Sequence, residues 1–145
     1  MDNRDKSLTF FKLKCKENGL RITPQRTAIY QELADDYSHP SVDDVYKRIS
    51  KKFPHISFDT VYRTLLSFVD MGIVKTAENY GKQKRFDPVA DPHHHLYCVK
   101  CNGIIDFHNK EYDELKVPSR IMRKHIVLSK RVVLEGVCEN CKKNQ

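Results

Sequence analysis

His93-His94-His95-Leu96-Tyr97-Cys98-Val99-Lys100-Cys101 decides how this chain folds. The stretch ends in Cys-x2-Cys, and a second such pair, Cys138 and Cys141, follows after a gap of 36 residues. Each pair brings two thiolates to one turn, and two turns that meet form a tetrahedral cage of four sulfurs suited to zinc. Such a cage leaves no coordination position open, so the zinc is expected to be structural. The gap exceeds ordinary zinc-ribbon spacing, so a small subdomain must fold between the knuckles. Two disulfides, or four unrelated core thiols, would use the same residues. The N-terminal MDNRDKSLTFFKLKCKENG carries charges throughout and no apolar signal core, which predicts a reducing cytoplasmic setting and favours metal.

Just upstream of these cysteines, three histidines in a row occupy a strand-like segment. Alternation along a strand puts His93 and His95 on one face, and His94 on the other with Cys98. One face can then feed a second metal while the opposite face feeds the zinc. Asp87 lies upstream in Arg85-Phe86-Asp87-Pro88, and Asp106 lies five residues past Cys101 on what should be the neighbouring strand. Imidazoles with carboxylates make a mixed N/O set, which suits Fe(II), Mn(II) or Zn(II).

Further upstream the pattern is helical. Thr23-Pro24 reads as an N-cap followed by proline at the first helical position, where its missing N–H costs nothing. Ser41 with Asp44, and Ser57, open two more helices, with Val42, Val45 and Ile49, then Val61, Leu65, Phe68 and Val69, at helical spacing. Gly72 closes the last of these, and a first helix is expected around residues 8–18 before Gly19. After Gly72 the period shortens. Ile73–Thr76 and Lys84–Asp87 read as strands joined by the polar turn 78–82. Helices followed by a small basic hairpin make a winged helix-turn-helix. Beyond a proline-rich hinge, His93–Val99, Ile104–Phe107 and Ile126–Gly136 read as strands, with a helix within Lys110–Lys124. The expectation is an α+β chain: a winged helix-turn-helix domain at 1–86, a hinge at 87–92, and an α/β domain with the four-cysteine zinc site at 93–145.

With 145 residues, a net charge of +7, pI near 9.2 and mean hydropathy −0.63, the chain holds one or two small domains. No segment of the sequence is apolar enough to cross a bilayer. The basic balance favours a polyanionic partner. The helix opened by Ser57 offers Thr60, Tyr62, Arg63, Thr64 and Ser67 on its polar face, as a recognition helix must. Arg63 could read guanine or clamp a phosphate, while Arg21, Gln25, Lys82 and Lys84 would set position on the backbone. Cys15, the fifth cysteine, reads as a plain thiol. A Cys-x2-Cys oxidoreductase is expected beside a βαβ pattern, and neither pair has one. A metallohydrolase would need a further general base. The chain therefore reads as a non-enzyme.

Arg21-Ile22-Thr23-Pro24-Gln25-Arg26, His39-Pro40, Thr60-Val61-Tyr62-Arg63-Thr64-Leu65, Arg85-Phe86-Asp87, His93-His94-His95-Leu96-Tyr97-Cys98 and the paired Cys-x2-Cys motifs together resemble the ferric-uptake-regulator family of metal-dependent bacterial repressors. The resemblance covers nearly the whole chain. It implies a homodimer assembled through the C-terminal domain, binding a palindromic operator in double-stranded DNA. It also implies a structural Zn(2+) at Cys98, Cys101, Cys138 and Cys141, and a regulatory Fe(2+) or Mn(2+) held by His39, Asp87, His93, His95 and Asp106. Iron-uptake regulators usually carry Glu where Asp106 stands, and the peroxide-stress repressors resemble this chain in carrying Asp. That subgroup implies that peroxide, acting at Fe(II), oxidises His39 and His93 and so releases DNA. The same fold would also serve an iron- or zinc-uptake regulator that uses metal as co-repressor.

Overall fold

The structure, a computed structural model, describes residues 3–34, 36, 38–77, 84–88 and 92–144. It is α+β and divides into two compact units, Met1–Ala90 and Asp91–Gln145.

The first unit carries α1 (Asn3–Glu17), α2 (Pro24–Ala34), α3 (Val42–Lys52) and α4 (Phe58–Asp70), then the hairpin strands β1 (Lys75–Ala77) and β2 (Arg85–Asp87). The caps explain where the helices begin. Thr23 Oγ1 accepts from the Arg26 N–H at 3.2 Å. Ser41 Oγ accepts from Asp44 N–H while the Asp44 carboxylate accepts from Ser41 N–H, a reciprocal capping box. Ser57 Oγ accepts from Thr60 N–H at 3.1 Å. Gly19 and Gly72 lie at φ 66° and 71°, where an L side chain is strained, and each follows a helix end closely. The inward stripes meet in one core. Phe11 stacks on Tyr30 at 4.6 Å and meets Phe68 edge-on at 5.4 Å, with Ile29, Leu33, Val45, Ile49, Val61 and Leu65 fully buried around them.

Two expectations shift here. The first strand begins at Lys75, because Ile73 and Val74 donate their N–H groups back to the Phe68 carbonyl and finish the helix. Thr64 is buried and not on the polar face. Its hydroxyl donates to the Thr60 carbonyl at 2.7 Å, which satisfies it within the helix and lets its methyl join the core.

The second unit is a three-stranded sheet in the order β4-β3-β5, built from β3 (His94–Cys98), β4 (Ile104–Phe107) and β5 (Val133–Gly136), with α5 (Lys110–Asp113), α6 (Ser119–Lys124) and α7 (Glu139–Lys143). β3 pairs antiparallel with β4 and parallel with β5. The expected helix at 110–124 is two short ones, because Pro118 adopts extended backbone (φ −54°, ψ 136°) and starts α6 afresh. The expected strand at 126–136 is β only from Val133. β3 starts at His94, so a parallel partner has a ladder to join only from the His95↔Val133 pair onward. Ile126 and Leu128 are 90% and 92% exposed. Their apolar alternation reads as a half-buried strand, but no strand among the described residues of this chain pairs with it. Among the described residues no helix is long and apolar enough to cross a membrane.

Candidate metal centres and nucleic-acid interface

The four cysteines come together in the second unit. At the first knuckle, Cys98 N–H donates to the Gly103 carbonyl and Asn102 N–H to the Cys98 carbonyl, both at 2.9 Å. Asn102 takes the left-handed conformation (φ 60°) that turns the chain so tightly. Gly103 N–H points at Cys101 Sγ at 3.4 Å, and a Cβ on Gly103 would lie only 3.1 Å from that sulfur. A side chain there would crowd the sulfur, which glycine avoids. The second knuckle rides on α7, whose N-cap is Cys138. β5 delivers it: Cys98 pairs with Gly136 across the ladder, and Cys138 N–H then donates to Cys98 Sγ at 3.3 Å.

All five cysteines are free, and the four sulfurs lie within 4.8 Å of one another. Cys101 and Cys138 sulfurs are 3.8 Å apart. A disulfide requires about 2.05 Å, whereas a tetrahedron with Zn–S bonds of about 2.3 Å has edges of about 3.8 Å. The sulfurs therefore fit zinc and not a bridge. Their electrostatics agree. Backbone N–H groups of Cys101 and then Cys138 lower the Cys98 thiol to about 6, so it is largely thiolate at neutral pH. Cys141 is pushed up to about 12, first by its hydrogen bond with Cys138 and then by burial and the other sulfurs. Four sulfurs cannot share so small a space as anions without a cation among them. The cluster fits a structural zinc.

The same unit presents His93, His95 and Asp106. β-alternation and register account for all three: His93 and His95 share a face of the chain entering β3, and His95 sits directly opposite Asp106 on β4. His93 Nε2 and His95 Nε2 are 3.0 Å apart, and Asp106 Oδ1 lies 3.1 Å from the second and 3.5 Å from the first. Both imidazoles are buried. Two ring nitrogens and a carboxylate oxygen converging at these separations match adjacent ligands on an octahedral ion with bonds of about 2.1 Å, which would stand about 3.0 Å apart. His94 points the other way, as alternation demands. Its Nε2 lies 2.7 Å from Asp113 Oδ1, and its Nδ1 accepts from Val132 N–H at 2.9 Å.

In the first unit, His39 Nε2 lies 3.5 Å from Asp87 Oδ2, and both side chains are fully buried. His39 sits in the loop between α2 and α3 and Asp87 at the end of β2. A further residue joins them that sequence reasoning passed over. Arg85 Nε donates to the His39 carbonyl at 2.7 Å, and its Nη2 to the Ser38 carbonyl at 2.6 Å. The spacing was the available signal, since Arg85 and Asp87 alternate onto the same face of β2. Both histidine–aspartate sets have the nitrogen and oxygen donors that iron(II) or manganese(II) takes.

Of the residues expected to touch DNA, Arg21, Gln25, Thr60, Arg63 and Lys84 are exposed, and Lys82 lies outside the described residues. Arg63 is 79% exposed at its side chain and pairs with Asp59 at 2.9 Å. Thr60 spends its hydroxyl on Ser57 Oγ at 2.8 Å. Tyr62 is half-buried, stacked over Phe58 with ring centroids 6.5 Å apart. Cys15, expected as a plain thiol, is fully buried in the core, and burial raises its pKa.

The ferric uptake regulator family model matches residues 17–135. The chain belongs to that family. Among its relatives, the peroxide-responsive repressor PerR of Staphylococcus epidermidis is 40% identical over 127 residues, covering 88% of this chain and 85% of that one. The peroxide operon regulator of Bacillus subtilis is 39% identical over 130 residues, covering 90% of each. Among solved structures, a zinc-bound manganese uptake regulator superposes with a TM-score of 0.67 at 32% identity, covering 88% of this chain and 97% of that one.

Proposed function

We propose that this chain is a metal-dependent transcriptional repressor that senses hydrogen peroxide by oxidation of its own histidine ligands and then lets go of operator DNA. The observation that carries the reading is the convergence of His93, His95 and the short carboxylate of Asp106, with 3.0 Å between the two imidazole nitrogens. The curated relatives that carry peroxide in their names support the peroxide response. In this reading His39 and Asp87 from the DNA-binding unit join His93, His95 and Asp106 from the second unit around one ion. Five ligands hold the two units at one angle, and a dimer assembled through the second unit then spaces two α4 helices to match two half-sites of a palindromic operator. α4 presents Thr60, Tyr62 and Arg63 to base edges, while Arg21, Gln25, Lys82 and Lys84 meet the phosphate backbone.

Iron(II) held by these residues would activate hydrogen peroxide beside the imidazoles, and the ring that is oxidised gives up the two electrons. His39 or His93 then takes up one oxygen atom at a ring carbon, the peroxide providing it and water leaving. The oxidised ring carries a carbonyl and is a poor nitrogen donor. With one ligand lost, the hold on the interdomain angle lapses and DNA is released. Each chain responds once, so the event is self-modification and not turnover. His39, Asp87, His93, His95 and Asp106 would hold the ion, and the short arm of Asp106 would leave room for peroxide beside it.

The test compares operator-like DNA binding and ligand-peptide mass in the Fe(II) and Mn(II) forms before and after micromolar peroxide. The expected result is a gain of one oxygen on a peptide containing His39 or His93 in the Fe(II) form alone, with loss of DNA binding. Unmodified histidines and retained DNA binding in the Fe(II) form would replace the peroxide reading with an iron-uptake regulator of the same fold.

A further inference from the structure

His39 is held in a conformation that its own sequence opposes. Its φ is 60°, a region that few residues other than glycine enter. The residue after it is Pro40, and a residue before proline is pushed towards extended backbone with φ near −120°. Two independent local preferences therefore favour some other conformation. Neither loop composition nor a glycine explains why the histidine stays there.

Three successive residues of β2 do explain it. Arg85 donates two hydrogen bonds from its guanidinium, Nε to the His39 carbonyl at 2.7 Å and Nη2 to the Ser38 carbonyl at 2.6 Å. Phe86 N–H donates to the Pro40 carbonyl at 3.0 Å, and Ser41 forms an isolated β-bridge with Arg85. Asp87 faces the imidazole itself, with Oδ2 3.5 Å from His39 Nε2. The carbonyls on both sides of the strained residue are thus tied to the strand that also carries its carboxylate neighbour. The donors are charged and planar, and two are used at once, a geometry that lysine cannot reproduce.

We propose that Arg85 is the positioning residue for His39. It stabilises the left-handed backbone that aims the imidazole at Asp87, and so presets the first unit's share of the regulatory metal site. This inference rests on the reading of His39 and Asp87 as ligands. Without the fork, the His39–Pro40 step relaxes towards negative φ, which swings Cβ and carries the ring away from the carboxylate. The metal must then pull the loop back, and its apparent affinity falls by the fraction of chains already in the competent conformation. The guanidinium never touches the ion. Its effect passes through the backbone of residue 39.

The experiment is an Mn(II) titration of the full-length, zinc-loaded chain, with zinc content and the thermal midpoint of the Mn-free protein measured on the same samples. Variants are Arg85→Met, Arg85→Lys and His39→Ala. Loss of an outer partner of a metal ligand typically costs about 10–100-fold in affinity, and Arg85→Met is expected to fall in that range. Arg85→Lys is expected to lie between Arg85→Met and wild type, and all variants to keep their zinc. Methylguanidinium added to Arg85→Met is expected to restore part of the affinity. A merely structural clamp would lower the thermal midpoint and leave the dissociation constant alone, which would overturn the proposal. Should Arg85→Met not fold, Arg85→Lys decides. A wild-type dissociation constant in Arg85→Lys, beside a weakened one in His39→Ala, overturns the positioning role and leaves the metal reading intact. If His39→Ala itself binds Mn(II) like wild type, the ligand reading fails first.

Discussion

Replacing Cys98 by Ser tests how far the second unit depends on its four sulfurs. That unit spans about 55 residues, Asp91–Gln145, and an ordinary domain of that size would be stable by about 3–8 kcal/mol. Its core is poor even by that standard. Among its described residues the buried apolar side chains are Cys98, Ile104 and Cys138, and the other buried groups are the three histidines. Two of those three apolar positions are themselves sulfurs of the cluster. Within one chain, apolar burial among the described residues of this unit is therefore small against the chain entropy of the sheet, as is usual for small domains held by a metal. Structural zinc contributes on the order of 10–16 kcal/mol in small peptides at neutral pH, more than the whole expected stability of the unit. Cys98→Ser also replaces the sulfur that accepts from the Cys138 N–H, a thiol whose pKa the surrounding backbone N–H groups lower. The expected outcome is loss of about one zinc per chain, measured by a chromogenic chelator after denaturation. Loss of the second unit's cooperative melting and of the dimer should accompany it, followed by calorimetry and sedimentation. A Cys98→Ser protein that retained zinc, melting and dimer would refute the reasoning outright.

Cys15→Ser should leave zinc content unchanged yet lower the stability of the first unit by about 1–3 kcal/mol in urea titrations, because it places a hydroxyl in a fully buried apolar site. Arg63→Ala should weaken specific DNA binding by about 1–3 kcal/mol if the guanidinium reads a base; an equal loss on random DNA would reassign it to phosphate. Asp44→Asn should destabilise the first unit by about 0.5–1 kcal/mol at pH 7. Asp44 is held below its usual range chiefly by the Ser41 N–H. Its contribution is therefore present above about pH 4 and lost as pH falls through the lowered folded value. The gap between wild type and variant should close on acidification towards pH 3, and a gap constant from pH 7 to pH 3 would rule out the carboxylate as its source.

Local chemistry was legible in the sequence wherever one residue decides the outcome. Thr23, Ser41 and Ser57 each accept the N–H that their position predicts, because a cap needs only the three residues after it. The alternation His93, His94, His95 was readable for the same reason, and so was the placing of Asp106 on the neighbouring strand, though the register that sets it opposite His95 was not. What escaped depended on partners distant in sequence. Ile126 and Leu128 alternate like strand residues, but a strand needs a neighbour, and β3 begins too late to provide one. The parallel pairing of β3 with β5 brings Val133–Gly136 beside residues nearly 40 positions earlier, and nothing in either segment announces it. Thr64 has the composition of a surface residue and the geometry of a core one, because its hydroxyl finds the Thr60 carbonyl. The left-handed backbone of His39 is the clearest case. Its sequence neighbour Pro40 argues against it, and only Arg85, 46 positions away, accounts for it.

β3 has a consequence for which changes of chain length this protein can accept. The segment 93–98 supplies two imidazoles to one side of the sheet and a sulfur to the other, all within six consecutive residues. Exchange of one side chain for another, at Leu96 or Tyr97 for instance, leaves that division as it was. Insertion or deletion of a single residue between His95 and Cys98 does not. It would turn every later side chain over, bringing either the histidines or the thiolate to the wrong face, and no neighbouring substitution could repair both at once. A one-residue change of length there should therefore cost the chain one of its two metal sites, whichever face is turned over.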